Sequence, residues 1–309
     1  MKILFPDVKI ACGGKSYFLH ALYRGLEKLG LDIVFDGPHD IQFASIRYHT
    51  KSKAKKVLRL DGVYHNIGKA NMSAKNEEMK RHADAADVII CQSQFGKKMV
   101  QTFVGVPDDK IIVIGNGADP NANTVAPVLV EKHNFLAVSK WRPHKRLPDI
   151  IESFIIANDT LKNSRLHVVG DAPEELNKYG TNKSVTFHGS VFDRPRLYGL
   201  MKSCTASIHL CWFDCFPNSV VEAVCMGCPV ICNNTGGTHE IVGPSGGVVL
   251  NLDEPYNYKP VHLYNPPSIN RRVVAKAMVD CANNRPEITP SHVLIDSICK
   301  QYYEVFKSL

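Results

Sequence analysis

The sequence predicts an α/β protein made of two Rossmann-like halves, each a parallel sheet with helices on both faces. Three observations carry this. The 309 residues suit about two domains, at roughly 150 residues each. Short apolar runs bounded by Gly, Asp, Ser or Asn alternate with helical patterns along the chain, as buried parallel strands and their crossover helices do. A polar, proline-containing break, Asp119–Pro127 (DPNANTVAP), divides the alternation into two series.

In the first series Ile3–Phe5 reads as a strand and Gly13-Gly14 as a break. Phe18, Leu22, Leu26 and Leu29 then recur at helical spacing up to Gly30. Ile33–Phe35, Val57–Leu60, Val88–Cys91 and Ile111–Ile114 read as further strands, with helices over Ser73–Ala86 and Gln94–Phe103. The second series gives strands Phe135–Ser139, Leu166–Gly170, Val185–His188, Ala206–Leu210 and Pro229–Cys232. Its helices are Leu147–Ala157, Pro195–Cys204 and Ser219–Met226. Ser291–Ser308 is a last amphipathic helix. The expected domains are therefore 1–122 and 123–290, with 291–309 a terminal helix packing back toward the first. Ligands of such sheets bind at the carboxyl ends of the strands, which places the site in a central cleft faced by both halves.

Hydrophobic residues make up 44% and charged residues 22%, a globular composition that excludes wholesale disorder. No uncharged apolar run reaches the ~18 residues of a membrane-spanning helix. Asp7 and Lys9 interrupt the first apolar stretch, which favours a strand over a signal peptide and a cytoplasmic setting. The net charge of +7 suits an anionic small ligand or membrane surface. Without an arginine-rich arm or a recognisable motif, nucleic acid is not an expected partner. Six of the ten cysteines fall between Cys204 and Cys232, and Cys225 and Cys228 have CxxC spacing. With no second ligand pair, these read as packed thiols and no metal is expected.

Four stretches carry candidate chemistry. The turn Ala11-Cys12-Gly13-Gly14-Lys15-Ser16 between strand and helix can bring backbone N–H groups to an anion, or be a plain tight turn. Lys140, Arg142, Lys145 and Arg146 put four cations in seven residues after a strand, a set that suits a diphosphate unless it is a solvated charge run. Asp214 and Glu222 stand eight residues apart across a loop-to-helix junction, where Asn218 or Ser219 can cap the helix. Glu222 sits among Val220, Val221, Ala223 and Val224, where a carboxylate has a bound partner or a job. A carboxylate there can accept from two vicinal ribose hydroxyls. Gly236-Gly237 then allows close backbone approach to a ligand. Asp61, before Gly62 at a strand's carboxyl end, is either a turn cap or a reactive carboxylate.

In this order the motifs resemble the retaining group 1 glycosyltransferases of GT-B architecture, over nearly the whole chain. Gly13-Gly14 followed by a helix closing at Leu29-Gly30 resembles that family's opening glycine loop, and Asn116-Gly117-Ala118-Asp119 its Asn-Gly-Val-Asp segment. Lys140 and Lys145 fall on an arginine and a lysine that hold the donor diphosphate; Gly170-Asp171 and Phe187-His188-Gly189 match middle strands. Asp214 through Glu222 falls on the Glu-x7-Glu motif, and Glu222 to Val230 resembles the sequence after it. Gly236-Gly237 to Glu240 and Gly246-Gly247 complete the series. Three departures stand out: Lys140 in place of arginine, Asp214 in place of glutamate, and Cys215 and Pro217 in place of glycines.

The resemblance implies a metal-independent transfer of a hexose or related sugar, with retention, from a UDP- or GDP-sugar to a glycan or lipid-linked hydroxyl. It implies no cofactor. Gly13, Gly14, Lys140, Lys145, Asn218, Ser219 and Glu222 are then expected to bind the donor, and Asp61 and Asp214 to act on the reacting sugar. Lys51, Lys53, Lys55 and Lys56 would give peripheral contact with an anionic membrane, or form a solvated loop. A nucleotide-sugar epimerase or a nonenzymatic nucleotide-sugar-binding protein on the same scaffold are the alternatives.

Overall fold

The computed structural model describes residues 1–6, 13–243 and 245–309, so Ala11 and Cys12 of the glycine turn lie outside the described residues. The chain forms two compact units. The first holds Met1–Asp119, Asn257–Val261 and Ser291–Leu309; the second holds Pro120–Tyr256 and His262–Pro290.

In the first unit the strands are β1 (Lys2–Leu4), β2 (Asp32–Val34), β3 (Ile41–Ser45), β4 (Lys55–Leu60), β5 (Val88–Cys91) and β6 (Ile111–Val113). They form a parallel sheet in the order β2-β1-β3-β4-β5-β6. Its helices are α1 (Gly13–Lys28), α2 (Met72–Asp84) and α3 (Gln94–Val104). The ends of α3 show the local logic: the Ser93 hydroxyl accepts from the Gly96 N–H at 2.9 Å, and Gly105 closes the helix at φ 74°. The terminal helix α9 (Ile295–Lys307) packs on α1, where Gly25 leaves room for the Cys299 sulfur. Its Tyr302 and Phe306 join Phe5 and Phe43, which stack at 4.4 Å, in the core.

The segment Asn116–Asp119 has a structural task here. Ala118 exchanges backbone bonds of 2.9 Å with Val293 and Ile295, and a Cβ on Gly117 would come within 2.7 Å of the Ile295 Cα. Only a residue without a side chain lets the tail approach so closely.

In the second unit the strands are β7 (His133–Val138), β8 (Ser164–Val169), β9 (Val185–Phe187), β10 (Ala206–His209), β11 (Val230–Asn233) and β12 (Gly247–Leu250). They are parallel, in the order β12-β11-β10-β7-β8-β9. Read from β9, this is the doubly wound Rossmann order, with its switch point between β7 and β10. The helices are α4 (Leu147–Leu161), α5 (Arg194–Ser203), α6 (Asn218–Cys225), α7 (Thr238–Val242) and α8 (Arg271–Asn283). The linker lies along α5: Val125 donates to the Pro195 carbonyl at 2.9 Å, and its carbonyl fills the space that a side chain on Gly199 would need. The expected strands are present, each within a few residues of its anticipated bounds. β3, β12, α7 and α8 had no expected counterpart. Among the described residues no helix is long and apolar enough to cross a membrane.

A buried polar chain ties β7 to β8 and the loop after β9. His167 Nε2 donates to Asn134 Oδ1, and its Nδ1 accepts from His188 Nε2, both at 3.0 Å. Burial, aided by the positive neighbours His188 and Arg165, pushes His167 down to about 4. Below its ordinary value near 6.5 the unfolded chain takes up a proton that the folded chain refuses, so stability is full above pH 6.5 and falls toward pH 4. The fall is expected to reach about 3 kcal/mol at this site alone. Urea unfolding between pH 7.5 and 4.5 checks it; a stability that is flat across that window, or equally steep in His167→Gln, contradicts it.

Candidate active site

The second unit gathers six of the nine candidate residues near the carboxyl ends of β7 and β10, on either side of the switch point. The loop after β7 carries Lys140 to Arg146, and the loop after β10 leads through Asp214 into α6. Lys145 reaches across and its ammonium forms an ion pair with the Asp214 carboxylate, both side chains mostly buried. Burial works against each charge, yet the pair prevails: Lys145 is held above its ordinary value and Asp214 below it. The Cys211 sulfur lies near the same ammonium and helps to hold its charge. An ammonium has three donors and Asp214 takes one, so donors remain for an incoming anion.

The four cations of this loop do not converge as the sequence suggested. Lys140 and Arg142 are exposed. Arg146 is fully buried and turned away: it binds both oxygens of Asp253, at 2.6 and 2.7 Å, and the Pro267 carbonyl at 3.0 Å. Asn233 adds a bond of 2.8 Å to the same carboxylate. Arg146 is therefore a structural anchor, because a buried guanidinium is tolerated only when a carboxylate compensates its charge. Its neighbour His144 is also buried, stacked on Tyr264 with ring centroids 5.4 Å apart.

The helix α6 starts one residue before the expected position. Pro217 is its N-cap and supplies no side-chain bond, so neither Asn218 nor Ser219 caps the helix; they are its first two residues, half-buried. Glu222, one turn in, is 7% exposed. Its two oxygens each accept from Arg194 Nη1 at 2.8 Å, an ion pair with the first residue of α5. Burial pushes Glu222 above its ordinary value and the Arg194 guanidinium opposes that. Each oxygen keeps a lone pair beyond the one Arg194 uses.

The pair Gly236-Gly237 serves Asp214 rather than an open approach to a ligand. Gly236 has φ 75°, and a Cβ there would lie 2.7 Å from the Asp214 carbonyl oxygen and 2.9 Å from its nitrogen. Gly237 N–H donates to that carbonyl at 2.7 Å, fixing the loop that aims the carboxylate.

The other three candidates lie in the first unit. Gly13 and Gly14 are the first residues of α1. Asp61 follows β4 and pairs with Arg59, a side chain buried under the Phe18 ring. Asp61 also accepts from Gln92 at 2.7 Å and from Ser45 at 3.4 Å, and Arg59 is itself fixed by Asn116 at 2.8 Å.

Arg59, Arg194, His209, Cys211 and Asp253 were not among the sequence candidates. Each gains its place from a partner on another element; only the burial of Glu222 hinted that a cation such as Arg194 must exist. Cys225 and Cys228 are buried free thiols, with burial pushing Cys228 up to about 12. They are not part of the one candidate ligand group among the described residues, which is His209, Cys211 and Asp214.

A family model described as group 1 glycosyl transferases matches residues 132–257, and one described as glycosyltransferase family 4 matches residues 10–122. No curated protein sequence matches. Among solved structures, Alr3699/HepE of Anabaena in complex with UDP-glucose superposes with a TM-score of 0.69 at 18% identity, covering 100% of both chains. Sucrose-phosphate synthase of Thermosynechococcus elongatus gives 0.72 at 13% identity, covering 99% of this chain and 98% of that one. AviGT4, a glycosyltransferase involved in avilamycin A biosynthesis, gives 0.65 at 17% identity, covering 99% and 96%. Identities this low speak for the fold alone. With both halves matched by glycosyltransferase models and the fold shared with these solved structures over nearly the whole chain, the chain belongs to the group 1 glycosyltransferases of GT-B architecture.

Proposed function

We propose that this glycosyltransferase takes a sugar from a UDP-sugar, with retention and without a metal ion, and passes it to a hydroxyl of a glycan or lipid-linked acceptor. The observation that carries the reading is the Lys145 ammonium, held at the switch point by Asp214 with donors to spare. On this reading a remaining N–H meets the donor diphosphate, and the start of α6 at Asn218 and Ser219 adds the positive end of the helix dipole. A fixed ammonium then supplies the charge compensation that a divalent ion supplies in other transferases. Exposed Lys140 is free to add a second charge from solvent. The UDP-glucose complex of HepE supports a uridine nucleotide as the donor.

Glu222 takes the ribose: its remaining lone pairs accept from two vicinal hydroxyls while Arg194 holds the carboxylate in place. Asp214 touches the donor sugar from the face opposite its Lys145 contact. As the C–O bond to diphosphate lengthens, the sugar passes through an oxocarbenium-like state; the acceptor oxygen bonds to the anomeric carbon from the side the leaving group vacates, and its proton passes to the departing diphosphate oxygen. Asp61, held by Arg59, Gln92 and Ser45, is assigned to the acceptor hydroxyl or the sugar, and Gly13 and Gly14 to backbone contact with the donor.

Two tests follow. Glu222→Ala is expected to weaken UDP binding about 100-fold by calorimetry, since two bonds to a charged acceptor are lost at roughly 1.5 kcal/mol each. Wild-type affinity in a folded variant would overturn the ribose assignment. Treatment with EDTA is expected to leave the transfer rate unchanged; a loss of activity that manganese restores would overturn the metal-free reading.

A further inference from the structure

The proposed transfer gives neither His209 nor Cys211 a contact with substrate, yet both are built into its centre. His209 ends β10, and Cys211 and Asp214 lie in the loop behind it. One ligand atom from each (imidazole nitrogen, sulfur, carboxylate oxygen) lies within 4.8 Å of the other two. His209 is 5% exposed and Cys211 1%, and the Nε2 atom of His209 is buried without a hydrogen-bond partner. An orphaned imidazole nitrogen is costly unless something is meant to meet it. A cation already stands at this group: the Lys145 ammonium is paired with Asp214, with the Cys211 sulfur close enough to help hold its charge.

Imidazole, thiolate and carboxylate with a fourth position open form a common ligand set for zinc. The sulfur selects borderline and soft ions over magnesium or calcium, which prefer oxygen. For bonds of about 2.0–2.3 Å, tetrahedral ligands stand roughly 3.3–3.8 Å apart. The three atoms must therefore draw in by about 1 Å, which the departure of the ammonium permits.

We propose that His209, Cys211 and Asp214 form a binding site for a thiophilic divalent cation such as zinc or cadmium, which enters by displacing the Lys145 ammonium. His209 binds as neutral imidazole and Asp214 as carboxylate. The Cys211 thiol forms a metal–sulfur bond and gives its proton to solvent; nothing is oxidised or reduced. The cluster is neutral before, with one ammonium and one carboxylate, and neutral after, with one dication, one thiolate and one carboxylate. The ion thus replaces the ammonium without leaving an uncompensated buried charge. Displaced Lys145 can no longer meet the diphosphate, so the ion inhibits transfer; this consequence, unlike the binding, rests on the proposed function.

Cadmium titration of the full chain tests the site, read by thiolate-to-cadmium absorption in the ultraviolet and by competition with a chromophoric chelator. One ion per chain is expected, with the absorption lost in Cys211→Ser and affinity at least about tenfold weaker in His209→Gln. Lys145→Met, which removes the competing ammonium and keeps the stem, is expected to bind at least about tenfold tighter. Circular dichroism confirms that each variant is folded. Absorption retained in Cys211→Ser, or affinity unchanged in both His209→Gln and Lys145→Met, overturns the site. Cadmium that binds as expected but leaves transfer unaffected would sustain the site and refute the diphosphate role of Lys145.

Discussion

Lys145→Ala is expected to lower turnover with a UDP-sugar by about 10²–10³-fold, the usual cost of removing one preorganised group that faces charge developing in the transition state. The expectation rests on how the ammonium is held. It is not a mobile surface lysine: Asp214 fixes one of its three donors, and burial of the pair strengthens what the others can do. The leaving diphosphate gains negative charge as the sugar bond breaks, so the loss should fall on kcat more than on KM. Lys145→Arg restores a charge but brings a planar fork to a place shaped for a point charge, and should recover only part of the rate. Steady-state kinetics decide; turnover within about threefold of wild type in Lys145→Ala would show that another group carries the charge. The thermal midpoint of the variant separates this from damage to the loop.

Asp253→Ala is expected to destabilise the protein by about 3–5 kcal/mol, the largest effect on folding foreseen here. The side chains of Arg146 and Asp253 are 0% and 1% exposed, and their contact is bidentate. Removing the carboxylate leaves a buried guanidinium with only the carbonyls of Pro267 and Leu210, and frees Asn233 and Thr235 from the same oxygen. Arg146 also adopts φ 54°, a conformation an arginine holds only when its surroundings enforce it. Because Arg146 follows Lys145 directly, the variant should lose activity as well as stability. The double variant Arg146→Met with Asp253→Leu, which removes both charges, is expected to regain much of the stability. Urea unfolding reads both; a loss below about 1 kcal/mol in Asp253→Ala would mean that the pair is not the anchor described.

Much of this architecture could be read from local pattern, and the remainder fails for identifiable reasons. The sequence predicts Val88–Cys91 with the bounds that β5 has, because an apolar run between Asp87 and Gln92 has one simple reading. β3 shows no such run, because Gln42 separates Ile41 from Phe43 and Ala44. The strand is fully buried all the same, with the Gln42 amide bonded to the Thr50 hydroxyl at 2.9 Å and its carbonyl at 3.2 Å, partners eight residues away. α8 buries a stripe of Val274, Ala275, Ala277, Met278 and Cys281, small for a helical signal, and its cap is the Asn270 side chain. At the site, residue types were legible and pairings were not. Lys145 and Arg146 are adjacent in a uniform basic run, yet one faces Asp214 and the other Asp253, 107 positions on. Gly236 looked like an opening for a ligand and instead admits the Asp214 backbone. Nothing periodic marks such long-range partners.

The most direct test is a crystal structure of the chain with UDP bound. The account predicts a diphosphate oxygen within hydrogen-bond distance of Lys145 Nζ and the two ribose hydroxyls on the Glu222 carboxylate, with the Arg146–Asp253 pair unchanged. A nucleotide whose diphosphate lies away from Lys145, or whose ribose does not touch Glu222, would contradict it.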